Sequence, residues 1–261
     1  MEQMKNIEGG ILGLSSQGLR PSVRKWGTGE GLRKCSLKRV SIMLAHSGVH
    51  EFYADSTADA VSVNGFCLGA ALSTSSALNL VWIIHDRGDF ESGRLHGSGL
   101  HEIGVASERA LVVRARDIRS LLSAGEDALR TRKVGTVLLS AWGEDRAFSL
   151  TASRRLSLAA RDGGKRLFLA RAGAAPQPSA AESRWSVRSA ASTPLAGGAP
   201  GRPAFSATLL RNRAGAALGT WMMEWDREGR SFVEPAALSG GVAAMAGHRP
   251  FGAAGGGRCY A

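Results

Sequence analysis

The stretch that decides the fold is LVWII, residues 80–84. Five consecutive apolar residues between polar neighbours predict a strand that is buried on both faces, as strands of parallel sheets are. Similar short apolar runs follow at 111–113, 136–139 and 166–170, and an earlier strand is indicated at 48–54. Because helical patterns separate these runs, the sequence predicts a mostly parallel α/β sheet with helical crossovers.

Helices are predicted in the intervals between these strands. Polar residues that precede the helical patterns are expected to be N-caps: Ser56 or Thr57, Asp117 and Ser149. The interval before the 111–113 strand predicts one helix over 90–103. The helix after Asp117 is expected to bury one apolar side and to expose Glu126, Asp127 and Arg130.

The C-terminal part of the pattern changes to antiparallel strands. Alternating residues predict strands at 184–188, 204–213 and 219–226, and a tight turn then leads into a short strand at 231–233. In the strand at 219–226 the residues Trp221, Met223 and Trp225 are expected to share one face. An antiparallel extension therefore follows the parallel core.

Composition divides the chain into three parts. Residues 1–47 are rich in Gly, Ser and basic residues and predict a loosely ordered basic arm. Residues 48–238 hold the α/β domain, in which 171–203 are expected to be flexible loops rich in Ala, Pro, Ser and Gly on either side of the short strand at 184–188. Residues 239–261 are rich in Gly and Ala and predict a disordered tail.

A nucleotide-binding site is expected to be degenerate. A phosphate-binding loop after the first strand needs glycines, a lysine and a hydroxyl group, but residues 54–60 contain no Gly and no Lys, and their two aspartates would repel a triphosphate. The strand at 136–139 continues into Ser140-Ala141-Trp142 and lacks the carboxylate that would hold magnesium. The loss of both motifs argues against ATP hydrolysis.

Charge and cysteine content suggest an environment and a class of partner. The net charge of +11 makes a polyanion partner plausible, although a GC-rich genome, which raises the content of Arg, Ala and Gly together, is the simpler explanation. The three cysteines and six histidines show no metal-ligand or disulfide spacing. No apolar run approaches the length of a membrane span, so we expect a cytoplasmic protein. Because the motifs for them are missing, we expect no catalytic, cofactor or metal site.

The order of these pieces resembles the RecA-like core and, within it, the bacterial ImuA family of damage-inducible mutagenesis proteins. The resemblance covers residues 48–250 and is carried by several short segments: 48–54, 80–84, 99–105, 111–117, 150–156, 183–185, 201–203, 209–213 and 221–226. Residues 1–47 depart from the usual start of that family. The missing phosphate-binding loop is tolerated in it.

The resemblance implies a non-catalytic accessory protein of the SOS response that supports translesion DNA synthesis and mutagenesis. It implies an ImuB-type polymerase-like protein and an error-prone DNA polymerase as partners, with the RecA filament or single-stranded DNA as further candidates. Some ImuA-like sequences are similar to SulA, so inhibition of cell division is the alternative function.

Two groups of basic residues are candidate sites. Arg211-Asn212-Arg213 is similar to a basic-Asn-basic segment with which RecA-like ATPases reach a neighbouring subunit, so a partner interface is expected there. Two solvated arginines at a strand end are the alternative. Arg154 and Arg155 are candidates for contact with nucleic acid, and a solvated helix face is the alternative there.

Overall fold

The computed structural model describes residues 37–74 and 79–235. Within these residues nine strands form one sheet: β1 Gly48–Ala54, β2 Asn79–His85, β3 Ala110–Ala115, β4 Val134–Trp142, β5 Arg166–Ala172, β6 Ser183–Ser189, β7 Ala204–Asn212, β8 Thr220–Asp226 and β9 Ser231–Val233. The same residues contain six α-helices: α1 Leu37–Ala45, α2 Ala60–Thr74, α3 Asp86–Ser92, α4 Gly97–Ile103, α5 Ile118–Arg130 and α6 Leu150–Asp162.

The strand order is β3-β2-β4-β5-β1-β6-β7-β8-β9. The strands from β3 to β6 pair in parallel, and β7, β8 and β9 continue the sheet antiparallel. This arrangement confirms the predicted fold class, a mostly parallel α/β sheet with helical crossovers and an antiparallel C-terminal extension.

Each face of the sheet has its own core. On one face, α1 and α2 pack against alternate residues of the sheet from β2 to β9, including Phe52, Trp185 and Trp225. On the other face, α5 and α6 cover only the parallel part, where Val137 and Leu167 are buried. The second face of the antiparallel extension thus has no helix upon it among the described residues.

The predicted N-caps of two helices, α5 and α6, are confirmed. The Asp117 carboxylate accepts a hydrogen bond from the Ser120 N–H at 2.8 Å, and the Ser149 hydroxyl accepts one from the Ala152 N–H at 3.1 Å. Ser56 makes no such cap, because a 3-10 turn over Thr57–Asp59 precedes α2.

Three expectations about exposure and continuity were wrong. The helix expected over 90–103 is two short helices, α3 and α4, because Gly93 at φ +86° ends the first. The 111–113 strand was expected to be buried, but β3 is an edge strand and Leu111 is 59% exposed. Glu126 was expected on the solvent side of α5, but it is buried, since α6 packs beside it.

The limits of the domain differ from the division by composition. Residues 37–45, which composition assigns to the basic arm, form α1, and its Val40 and Leu44 are buried in the core. Residues 1–36 of the expected arm and the expected tail at 239–261 lie outside the described residues. In the described part of the chain, no helix has the length and apolar character that a membrane crossing requires.

Candidate functional site

The turn between β1 and α2 is where a phosphate-binding loop would lie. Its Asp59 carboxylate instead accepts hydrogen bonds from the backbone N–H and the hydroxyl of Ser189, at 2.8 and 3.0 Å, and from the Ser56 hydroxyl at 2.7 Å. Burial opposes ionisation of Asp59, but the hydrogen bonds from Ser189 and Ser56 outweigh it and lower the pKa of the carboxyl. The turn is therefore tied to the end of β6 by an anionic side chain.

The end of β4 is occupied by an internal polar network. The Ser140 hydroxyl accepts a hydrogen bond from Trp82 Nε1 at 2.7 Å and donates one to Asn64 Oδ1 at 2.6 Å. The cavity beside these residues has a volume of only about 40 Å³. Sites for ligands of nucleotide size span roughly 300–1,000 Å³, so this cavity is too small for a nucleotide.

The position of Arg211-Asn212-Arg213 follows from the strand register. Asn212 pairs with Ser183 in β6, and Ser183 pairs with His50 near the start of β1. The three residues thus lie at the amino end of the parallel strands, the opposite end of the sheet from the turn that holds Asp59.

The three side chains at this end have different surroundings. Arg211 is exposed and donates a hydrogen bond to the Ser179 carbonyl at 3.2 Å. Asn212 is half-buried, and its Nδ2 contacts Met43 Sδ of α1 at 3.4 Å. Arg213 is exposed, and its backbone N–H donates to the carbonyl of Glu182. The two arginines are therefore available to a partner, whereas Asn212 joins the sheet to α1.

Arg154 and Arg155 lie on α6 and are both exposed. Arg155 donates a hydrogen bond to Glu126 Oε2 at 2.6 Å, and Arg130 donates one to Glu126 Oε1 at 2.6 Å. The buried carboxylate of α5 thus holds one arginine from each helix. The spacing of Glu126 and Arg130 signals a helical ion pair in the sequence, but the contribution of Arg155 depends on the packing of α6.

A short segment connects the two groups of candidate residues. The Ala180 N–H donates a hydrogen bond to Ser153 Oγ of α6, and the carbonyl of Ser179 receives the one from Arg211. Arg184 of β6 donates to Ser179 Oγ at 2.7 Å and to Glu51 at 3.0 Å. The structure brings Arg211 close to α6 through residues 179–180, but it shows no direct contact between Arg211 and Arg154 or Arg155 within the described residues.

A buried cationic side chain lies beneath this segment. Arg171 of β5 is 2% exposed, and its guanidinium carbon lies 3.7 Å from the centre of the Phe148 ring. Burial raises the pKa of the neighbouring Tyr53 and lowers that of Arg171. A cation held against aromatic rings inside the domain is a packing element, and it is shielded from a ligand.

No known family model matches this chain. The chain is 35% identical over 146 residues to the protein ImuA of Caulobacter vibrioides strain NA1000 / CB15N and to ImuA of strain ATCC 19089 / CIP 103742 / CB 15. Each match covers 52% of this chain and 58% of the relative, so the chain spans a little over half the length of these relatives. The predicted resemblance to ImuA is confirmed over that length.

Two solved structures are similar to the chain. SulA from Pseudomonas aeruginosa matches at 22% identity and a TM-score of 0.38, over 48% of this chain and 98% of SulA. The RadB recombinase matches at 12% identity and a TM-score of 0.48, over 76% of this chain and 96% of RadB.

Proposed function

We propose that this chain is a non-catalytic accessory protein of SOS-induced mutagenesis, a cytoplasmic process in which damaged DNA is copied by translesion synthesis. The observation that carries the proposal is the identity of 35% with ImuA over 146 residues. The partners are an ImuB-type polymerase-like protein and an error-prone DNA polymerase, and the chain works by binding them.

The carboxyl end of the parallel strands supports a role without ATP hydrolysis. Phosphoryl transfer needs groups that position the phosphates and neutralise their charge. At this end the turn offers Asp59, which is anionic and bound to Ser189, and the last residues of β4 include Ser140, whose hydroxyl is already hydrogen-bonded. A thermal unfolding experiment with Mg-ATP tests this point: we expect an unchanged Tm, because a ligand that does not bind cannot stabilise the fold. A Tm that rises with ATP concentration would contradict it.

The proposed contact surfaces consist of exposed arginines. Arg211 and Arg213, at the amino end of the sheet, form the partner interface, and Asn212 fixes that end against α1. Arg154 on α6 is the proposed contact to single-stranded DNA or to the RecA filament, and the neighbouring Arg155, which Glu126 holds, is assigned below to a protein partner. Such a contact would weaken as salt rises, because bound arginines release counterions from phosphates.

The decisive experiment is complementation in a bacterium that lacks its own ImuA homologue. We expect this chain to restore the frequency of mutations after ultraviolet irradiation and to co-purify with the ImuB-type protein of the same genome, with or without single-stranded DNA. A mutation frequency that stays at the level of the deletion strain at normal protein abundance would overturn the proposal. Filamentous growth on overexpression without DNA damage would instead indicate inhibition of cell division.

A further inference from the structure

The C-terminal halves of α5 and α6 enclose a groove of about 680 Å³. The charged residues that line this α5–α6 groove are Glu126, Arg130, Arg132, Arg155, Asp162 and Lys165. We propose that the groove docks an acidic segment of a partner protein, whose carboxylates bind Arg130 and Arg155 and whose apolar side chain contacts Leu158.

Glu126 presents the two arginines in a fixed arrangement. Its side chain is 10% exposed and binds one Nη2 of each guanidinium, while the side chains of Arg130 and Arg155 are 68% and 66% exposed. A guanidinium carries five N–H donors, so each arginine keeps most of its donors for a ligand. One carboxylate between two guanidiniums leaves a net positive charge, and the fixed geometry lowers the entropy cost of binding.

The floor of the groove is held by hydrogen bonds from a lysine. Lys165, just before β5, donates hydrogen bonds from Nζ to the carbonyls of Leu129 and Thr131, at 2.5 Å each. These carbonyls belong to the last turn of α5 and to the residue that follows it, so the lysine closes the helix C-terminus. Its amine is engaged by these two carbonyls, so the ligand-binding charge comes from the arginines.

The lining favours a protein segment over nucleic acid. Leu158 of α6 is 59% exposed, lines the same groove and offers an aliphatic contact. Single-stranded nucleic acids are usually held by aromatic side chains that stack on bases. None of the described residues that line the groove is aromatic. An acidic segment with an interspersed apolar residue matches both features of the surface.

A second copy of this chain is a poor occupant, because the whole chain carries a net charge of +11 and copies repel one another. The occupant is therefore a different, acidic partner. In this respect the inference rests on the proposed function, which gives the chain partner proteins. The two are tested by separate readouts, peptide binding in solution and mutation frequency in cells, so the failure of either can be recognised.

The probe is a short fluorescein-labelled peptide of Glu, Leu and Ala in a helical repeat, and its analogue with Gln in place of Glu. Anisotropy titrations of the full chain are run at low and high salt, with an oligo-dT probe alongside. We expect the Glu peptide to bind, its affinity to fall with salt, and the Gln peptide to bind at least about tenfold more weakly.

Variants assign the binding to the groove. Arg130→Ala with Arg155→Ala is expected to weaken binding of the Glu peptide about tenfold, and Leu158→Ser is expected to weaken it further. The matched control is Arg116→Ala with Arg119→Ala, which removes the same charge from exposed positions at the other end of α5. Glu126→Gln raises the net charge of the groove but releases the two arginines from their fixed arrangement. We therefore expect this variant to bind the Glu peptide more weakly than the wild type does.

Several results would overturn the proposal. It fails if the Glu peptide does not bind, or if the control pair weakens binding as much as the groove pair, because net charge alone would then be the cause. It also fails if Glu126→Gln binds more tightly. Tighter binding of oligo-dT that is lost in the groove pair but not in Leu158→Ser would assign the groove to nucleic acid instead.

Discussion

The Asp59 carboxylate and the backbone N–H of Ser189 form a hydrogen bond of 2.8 Å between residues 130 positions apart in the chain. This bond fixes the turn before α2 to the end of β6. In a nucleotide-binding protein that turn would present backbone N–H groups to phosphates. Here the Asp59 carboxylate links the turn to the end of β6, and its negative charge would repel a bound triphosphate.

Asp59→Ala is expected to lower the free energy of unfolding by about 2 kcal/mol, because it removes the hydrogen bonds that the buried carboxylate accepts from Ser189 and Ser56. Urea unfolding followed by circular dichroism measures the change. Asp59→Asn keeps one carbonyl oxygen in place and should cost clearly less. An equal loss in both variants would show that the negative charge, and not the acceptor geometry, is what stabilises the turn.

His50 is the second buried polar residue with a long-range role. Its Nε2–H donates to the His46 carbonyl at 3.0 Å, and its Nδ1 accepts from the Ser183 hydroxyl at 2.7 Å. Trp185 Nε1 donates to the same Ser183 oxygen, which leaves the hydroxyl proton for His50. The imidazole is therefore held in its neutral form, and burial lowers its pKa to about 4.

The low pKa of His50 makes stability depend on pH. The unfolded chain takes up a proton on this residue near pH 6.5, whereas the folded chain does so only near pH 4. The stabilisation is complete above pH 6.5 and is lost as the pH falls from 6.5 to about 4, by up to about 3 kcal/mol. Urea unfolding across this range measures the slope, which should flatten in His50→Gln. An unchanged slope in that variant would exclude His50 as its source.

Local sequence determined much of the fold. Apolar runs and caps such as Asp117 and Ser149 act within a few residues, so the parallel strands and two helix starts could be predicted. The exposure of Leu111 could not, because it follows from the position of β3 at the sheet edge, which the pairing of all strands decides. Burial of Glu126 likewise depends on Arg155, which lies 29 positions further along the chain.

The candidate site could be predicted mainly by what it lacks. The absence of glycine and lysine at 54–60 was visible, since phosphate binding demands particular residue types. The partner of Asp59 was not visible, because Ser189 reaches it only after β6 pairs with β1. Arg211 and Arg213 could be singled out by resemblance, but their position at the amino end of the sheet required the register of β6 and β7.

Two glycines of α2 should respond to alanine in opposite ways. A Cβ on Gly69 would lie 2.9 Å from Phe232 and 3.0 Å from Trp225, two rings of the core. A Cβ on Gly65 would meet Phe205 at an ordinary 3.7 Å. Gly69→Ala is expected to destabilise the fold by about 1–3 kcal/mol through overpacking, and Gly65→Ala to stabilise it by about 0.5–1 kcal/mol through helix propensity.

Chemical unfolding of the two glycine variants provides the comparison, and each serves as the control for the other, because both replace glycine by alanine in the same helix. Stabilisation by Gly69→Ala would mean that the rings of Phe232 and Trp225 move aside without loss of packing energy. It would also mean that α2 does not pack tightly against the antiparallel extension.

The proposed interface at Arg211 and Arg213 is tested by replacing both with alanine. The exposed guanidiniums are expected to bind the partner, so the double variant should reduce the mutation frequency after irradiation by about tenfold, at unchanged protein level. Arg211 also donates to the Ser179 carbonyl, so the free energy of unfolding is measured in parallel and should change by less than about 1 kcal/mol.

Arg116→Ala with Arg119→Ala, which removes equal charge from the other end of the sheet, should leave mutagenesis intact. Wild-type mutation frequency in the Arg211/Arg213 variant would remove the interface from this end of the sheet, whereas an equal loss in both double variants would trace the effect to overall charge.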